Sequence, residues 1–170
     1  MTELALPKID KDTISRKNQI VSQLKKFTKD ENILSENEEI KPYETDGLAA
    51  YKQTPLAVVL PENTKEVSEI LKFCNEENIK VIPRGAGTGL SGGALPLQDA
   101  ILLGLGKFNK ILEIDFENKC VVTQPGVTNL GITHAVQHKG YYYAPDPSSQ
   151  LACSIGGNAV SYTHLTLPTK

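Results

Sequence analysis

Residues 56–93, LAVVL-PENTKEVSEILKFCNEEN-IKVIP-RGAGTGLSGG, decide the fold. Leu56 to Leu60 is an unbroken apolar run, the pattern of a strand buried on both faces, and Pro61 ends it. Asn63 with Glu66 has the form of a capping box. Val67, Ile70, Leu71 and Cys74 then recur at helical spacing up to about Glu77. Ile79 to Pro83 is the second strand. Strand, helix and strand in this order predict a β-α-β unit, its two strands parallel and joined by a right-handed crossover.

Five of the thirteen glycines follow at once, between Arg84 and Gly93. Glycine density of this kind lets backbone N–H groups converge on an anion unobstructed by Cβ atoms. Thr88 and Ser91 add hydroxyls, and Arg84 a cation. Gly87 to Gly92 formally matches the dinucleotide fingerprint, but that fingerprint requires a helix to open at the loop. Pro96 interrupts any such helix, and a strand begins near Ala100. A P-loop fails as well, because no Lys-Ser/Thr pair follows the glycines. Two readings stay open from the glycines alone: a tightly turning loop without a ligand, and a pyrophosphate cradle between two strands.

Working outward, Thr13 to Lys29 predicts a helix with Ile20, Val21, Leu24 and Phe27 on one face. Asp30 to Glu39 reads as a polar linker, and Ile40 to Thr54 as loop, broken by Pro42, Gly47 and then Pro55. Downstream, Ala100–Leu105, Lys110–Asp115 and Lys119–Gln124 predict three strands, whose short spacing favours antiparallel pairing. Thr128 to His138 predicts a helix, with Gly140 as its C-terminal cap. The class is α+β.

Composition excludes several functions. A net charge of −2 with scattered basic residues gives no footprint for nucleic acid, and 6% aromatics without Trp make no base-stacking platform. An apolar fraction of 39% supports a core. Cys74, Cys120 and Cys153 suggest neither a disulfide framework nor a zinc site; Cys74 reads as a buried helix thiol. The N-terminus lacks the apolar run of a signal peptide, and no stretch reaches membrane-spanning length, so the expected location is cytoplasmic. His134 and His138 have i, i+4 spacing but no third ligand nearby, and read as surface residues.

A second cluster runs from Tyr141-Tyr142-Tyr143 through Ala144, Pro145, Asp146, Pro147, Ser148, Ser149 and Gln150 to Leu151, Ala152, Cys153, Ser154, Ile155, Gly156, Gly157 and Asn158. The tyrosine run reads as strand packing, with a flavin contact as the alternative. Two glycine-rich loops so far apart suggest one long ligand gripped at two places, a demand that FAD meets.

The ordered set Arg84–Pro96, Gln124-Pro125-Gly126-Val127, Tyr142–Gln150 and Ala152–Asn158 resembles the vanillyl-alcohol-oxidase, or PCMH-type, family of FAD-linked oxidases. Glu39 to Tyr51 is similar to the glycolate-oxidising D-subunit branch. The resemblance covers about Ile33 to Ala159. It implies an FAD-binding domain of two α/β subdomains with the flavin between them, incomplete here at the C-terminus. Arg84, Gly85, Ala86, Gly87, Thr88, Gly89, Leu90, Ser91, Gly92 and Gly93 would hold the pyrophosphate. Pro145, Asp146, Pro147, Ser148, Ser149, Cys153, Ser154, Ile155, Gly156, Gly157 and Asn158 would line the flavin.

The implied reaction is hydride removal from a short 2-hydroxyacid, with D-lactate or D-2-hydroxyglutarate dehydrogenation as the alternative within the family, and a non-catalytic FAD-binding module outside it. A quinone or an iron–sulfur partner subunit would take the electrons, with peripheral attachment at the inner face of the membrane. No catalytic or metal-binding residue of the family falls within the chain. The expected organisation is an N-terminal helical segment (1–39), part of the FAD-binding domain (40–159), and a non-native tail (160–170). That tail, Val160 to Lys170, resembles the translation of a transposon-end sequencing adapter, and it marks the chain as an N-terminal fragment.

Overall fold

The computed structural model describes residues 7–145 and 147–159. Its centre is a four-stranded sheet of order β1-β2-β4-β3, built from β1 (Ile33–Leu34), β2 (Ala57–Val59), β3 (Lys80–Arg84) and β4 (Ala100–Gly104). β2 and β3 both run parallel to β4, so they are parallel to each other, as the β-α-β pattern predicts. They are not neighbours, because β4 lies between them. This corrects the expected antiparallel pairing of residues 100–105. Residues 110–115 and 119–124 do pair antiparallel, as the hairpin of β5 (Ile111–Asp115) and β6 (Cys120–Thr123).

The sheet is covered on both faces, which is why β2 and β4 read as continuous apolar runs. Ala57, Val59, Ile101 and Leu103 pack with Ile20, Leu24, Ile70 and Cys74. Val58 and Leu102 pack on the opposite side with Ile40. The crossover helix, α4 (Thr64–Glu76), supplies Ile70 and Cys74. Asn63 Oδ1 caps it by accepting from Glu66 N at 3.0 Å. Glu66 reaches one residue beyond the simple capping box, accepting from Glu62 N at 2.9 Å.

The first expected helix is two: α1 (Lys11–Ser15) and α2 (Lys17–Leu24), broken at Arg16 with ψ 7°. Arg16 is held by Glu77 at 2.8 Å, across the C-terminal end of α4. Beyond Leu24 the chain tightens into i→i+3 bonds, Lys26 N to Gln23 O and Phe27 N to Leu24 O, both 3.0 Å, which ends α2 short of Lys29. The expected linker is ordered too. It holds a 3₁₀ turn (Asp30–Asn32), β1, and α3 (Asn37–Ile40), whose N-terminus carries a capping box from Glu36 and Glu39. Fully buried Asn32 anchors it by bonding Thr28, Glu62 and Lys107.

A second unit joins the β5–β6 hairpin to α5 (Asn129–Val136). Thr128 caps α5, its Oγ1 accepting from Gly131 N at 3.0 Å, and Gly140 closes the following 3₁₀ turn at φ +79°. Tyr141–Tyr143 form no strand, contrary to the packing expectation. Tyr141 lies against the Phe116 ring at 5.9 Å, and Tyr143 N donates to Thr133 Oγ1 at 3.1 Å. Asp146 and residues 160–170, the expected tail, lie outside the described residues.

Candidate functional site

β3 ends at Arg84, and the chain leaves the sheet as an irregular loop with no helix. The dinucleotide-fold reading thus fails in the structure for the reason it fails in the sequence. None of the backbone N–H groups of Gly85 to Gly93 donates to another group of the described chain. A Cβ placed on Gly89, Gly92 or Gly93 would meet nothing within 4 Å. Among the described residues the loop therefore offers a run of donors without acceptors, with open space beside Gly89, Gly92 and Gly93, which suits a large anion.

The second segment is held by residues 125–128. Ser154 bridges Thr128, Ile155 N donates to Val127 O at 2.8 Å, and Gly156 N donates to Pro125 O at 2.9 Å. Gly156 has to be glycine, since a Cβ there would stand 2.7 Å from Pro125 Cβ. Ser149 O accepts from Ala152 N and Cys153 N, both at 2.8 Å, which makes the Ser148–Cys153 stretch a compact turn and buries Cys153. Pro145 O accepts from Asn129 Nδ2 at 3.3 Å.

The two segments meet. A Cβ on Gly85 would collide with Ser154 Oγ, so the first glycine of one loop lies directly against the serine of the other. The two segments expected to grip one ligand touch at Gly85 and Ser154; Asp146 lies outside the described residues. Leu90 and Leu151 add one strongly exposed leucine to each segment.

Arg84 has partners of its own. Its Nη1 donates to Thr45 O at 2.7 Å and Ala94 O at 3.4 Å, and the guanidinium lies 5.7 Å from the centre of the Tyr43 ring. Burial pulls its pKa down, while the nearby Asp46 carboxylate and Tyr43 act in the opposite direction.

Some residues carry no signal in the sequence. Among the described residues, fully buried Asn129 finds no partner for its Oδ1 and buried Asn158 none for its Nδ2; both lie close in sequence to the Thr128–Ser154 bridge. Orphaned buried amides call for a partner. Asn158 is marked by its glycine neighbours, but Asn129 sits in an ordinary helix start and nothing local distinguishes it. Asp46 and Gly47 lie in the stretch similar to the glycolate-oxidising branch, though their residue types alone suggest no role beyond a loop. His134 and His138 are exposed, His138 packing edge-on to Phe116 at 5.8 Å. Among the described residues no three His, Cys, Asp or Glu side chains cluster as a metal site.

A cavity of about 310 Å³ opens on the second unit, between β5, β6 and α5. Ile114, Phe116, Val121, Ile132, Val136 and Ile155 make it largely apolar, and the tyrosine run forms one wall.

A glycine loop of this kind, apposed to a second glycine segment in an α+β scaffold, suits a nucleotide cofactor. The chain belongs to the FAD-binding domain family, whose model matches residues 55–166. It is 48% identical over 154 residues to the glycolate oxidase subunit GlcD of Escherichia coli (strain K12), covering 91% of this chain and 30% of that protein. It is 33% identical to the mitochondrial D-2-hydroxyglutarate dehydrogenase of Arabidopsis thaliana, covering 81% of this chain and 25% of that one. Among solved structures, 4-ethylphenol oxidase from Gulosibacter chungangensis superposes with a TM-score of 0.74 at 25% identity, over 91% of this chain and 30% of the oxidase. The chain thus spans about 30% of the length of the GlcD relative. The expected PCMH-type α+β class holds, and FAD is the family's cofactor. The free donors of the glycine loop, the open space beside them and the unpartnered amides of Asn129 and Asn158 fit such a ligand.

Proposed function

We propose that this chain holds the diphosphate and one side of the flavin in an FAD-dependent enzyme that oxidises a short, glycolate-type 2-hydroxyacid to the 2-oxoacid. The observation that carries the reading is the contact of Gly85 with Ser154, which makes one site of two distant glycine segments. When bound, FAD supplies the hydride acceptor. The chain's own residues orient it: the Arg84–Gly93 backbone offers N–H donors to the diphosphate, and residues 145–158, braced on 125–128, form a wall. Exposed Leu90 and Leu151 would be shielded from water once ligand and the remaining protein lie over them.

The residues that bind and deprotonate the acid belong, in this reading, to the part of the protein beyond the chain, so residues 1–170 alone would be inactive. We assign residues 1–39 to a helical segment, 40–159 to the partial FAD domain and 160–170 to a non-native tail. Sequencing the source gene past the Ala159 codon tests that tail. The subunit designation of the glycolate oxidase relative supports assembly with other subunits, an iron–sulfur carrier or a quinone then taking the electrons. No described helix is long and apolar enough to cross a membrane; peripheral attachment at the inner face of the membrane is part of the proposal.

The test is anaerobic addition of glycolate, D-lactate and D-2-hydroxyglutarate to the flavin-loaded full-length protein. Bleaching of the flavin band by glycolate first supports the proposal. Bleaching by one of the other two alone moves the assignment to that acid, and bleaching by none overturns it in favour of a non-catalytic FAD module.

A further inference from the structure

The stretch Thr45-Asp46-Gly47 lies against the glycine loop. A Cβ on Gly47 would stand 2.6 Å from the Thr88 carbonyl oxygen and 2.7 Å from that of Gly89. In a trans peptide unit the C=O and N–H point in opposite directions, and the described chain has no cis bonds. The Gly89 and Leu90 N–H groups belong to these same two planar peptide units, so whatever fixes the carbonyls fixes the donors as well. Neither N–H has an acceptor in the described chain. Two successive donors are thus held in place by the packing of Gly47 against their peptide units.

The hold on Gly47 is equally specific. The Thr45 carbonyl accepts from Arg84 at 2.7 Å, and the same guanidinium reaches Ala94 O, at the far end of the loop, at 3.4 Å. Asp46 Oδ1 accepts from Leu48 N at 2.9 Å and fixes the turn. Asp46 is buried, and its Oδ2 accepts no hydrogen bond from the described residues. Gly87 packs so closely on the Arg84 guanidinium that a Cβ there would overlap it. Arg84 therefore sits among the loop's own supports.

We propose that Thr45, Asp46, Gly47 and Arg84 are positioning residues: they set which way the Thr88 and Gly89 peptide units face, and through them the affinity of the loop for a diphosphate-bearing cofactor. This rests on the reading of the site as one for FAD. Gly47 matters here for its missing side chain, since any larger residue pushes on two carbonyls and rotates the donors.

The test uses the full-length protein, stripped of flavin and titrated with FAD, with phosphorus NMR of the bound cofactor as a second readout. Gly47→Ala should weaken FAD binding about tenfold or more and move the diphosphate resonances, with a lowered thermal midpoint of the flavin-free protein because the added Cβ meets backbone atoms. Wild-type affinity and an unchanged phosphorus spectrum in Gly47→Ala would overturn the positioning role. If Gly47→Ala does not fold, Asp46→Ala carries the test, because it removes the turn's cap without adding an atom near the loop. A smaller loss of affinity is then expected, and no loss overturns the proposal. Failure of the wild-type protein to bind FAD would instead overturn the function on which the proposal rests, a result separable from the variant series.

Discussion

Glu62 shows how much of this structure is settled by single polar side chains. Its carboxylate accepts from Lys29 at 2.9 Å, Asn32 at 3.2 Å and Lys107 at 3.1 Å. Lys29 first, then Asn32 and Lys107, hold its pKa at about 2, against an ordinary 4.5. A carboxylate whose pKa is lower in the folded state stabilises fully above its unfolded value and loses that contribution as pH falls through the folded one. Stability should therefore drop between about pH 4.5 and pH 2, and Glu62→Gln should flatten that acid limb in urea-unfolding midpoints. An unchanged limb would show that the cluster contributes nothing. Asp99 is the buried counterpart. Burial alone would raise its pKa, but Lys80 at 2.6 Å and Asp10 N at 2.7 Å hold it below the usual range. Lys80→Met strips a buried carboxylate of its charged partner and should cost about 1–3 kcal/mol, read from the same unfolding curves at neutral pH. Neither cluster was legible from the sequence, because its members lie tens of residues apart and look like ordinary surface charges. Asn32 in particular falls in a stretch that reads as linker only until its partners are known.

Elements were legible where a local pattern meets a local cause. The strand, cap and helix of residues 56–77 need only neighbours within one turn, and α4 follows its capping pattern with Glu66 displaced by one residue. Thr128 likewise starts α5 where the sequence pattern predicts, while Gly140 closes the 3₁₀ turn after it rather than α5 itself; Thr128→Ala should cost about 1 kcal/mol, seen as a lowered midpoint of thermal unfolding. Because Ser154 bridges Thr128, the same variant tests whether the flavin-side segment depends on the start of α5; faster amide exchange at Ile155 and Gly156 is the expected sign. Strand partners were the harder problem. Nothing in residues 100–115 says whether β4 pairs with the later strand β5 or with the earlier strands β2 and β3. The short connection to β5 favours the wrong answer, because burial of β4 on both faces outweighs proximity in sequence. The candidate site divides the same way. Both glycine segments declare themselves by composition, whereas the supports at Thr45–Gly47 and Asn129 act through contacts that no periodicity encodes.

At the scale of the whole molecule, β4 couples the two faces of the sheet. Ile101 packs with α2 and α4, and Leu102 packs with Ile40 and Tyr43 of the segment that precedes Thr45. That same segment braces the glycine loop, so the core on one face and the site at the end of β3 share a support. Leu102→Ala should cost about 2–5 kcal/mol, the range for emptying a fully buried leucine site. If the proposed function holds, saturating FAD should return part of that loss. A ligand that binds only the folded state adds about 2.7 kcal/mol at a hundredfold excess over its dissociation constant. Thermal unfolding of full-length wild type and Leu102→Ala, each with and without FAD, separates two mechanisms. Equal stabilisation of both by FAD means that the core and the site are independent. A smaller gain in Leu102→Ala means that loosening the Ile40–Tyr43 face propagates through Thr45 and Gly47 to the donors of the loop, the outcome expected from the hydrogen bond between Arg84 and Thr45.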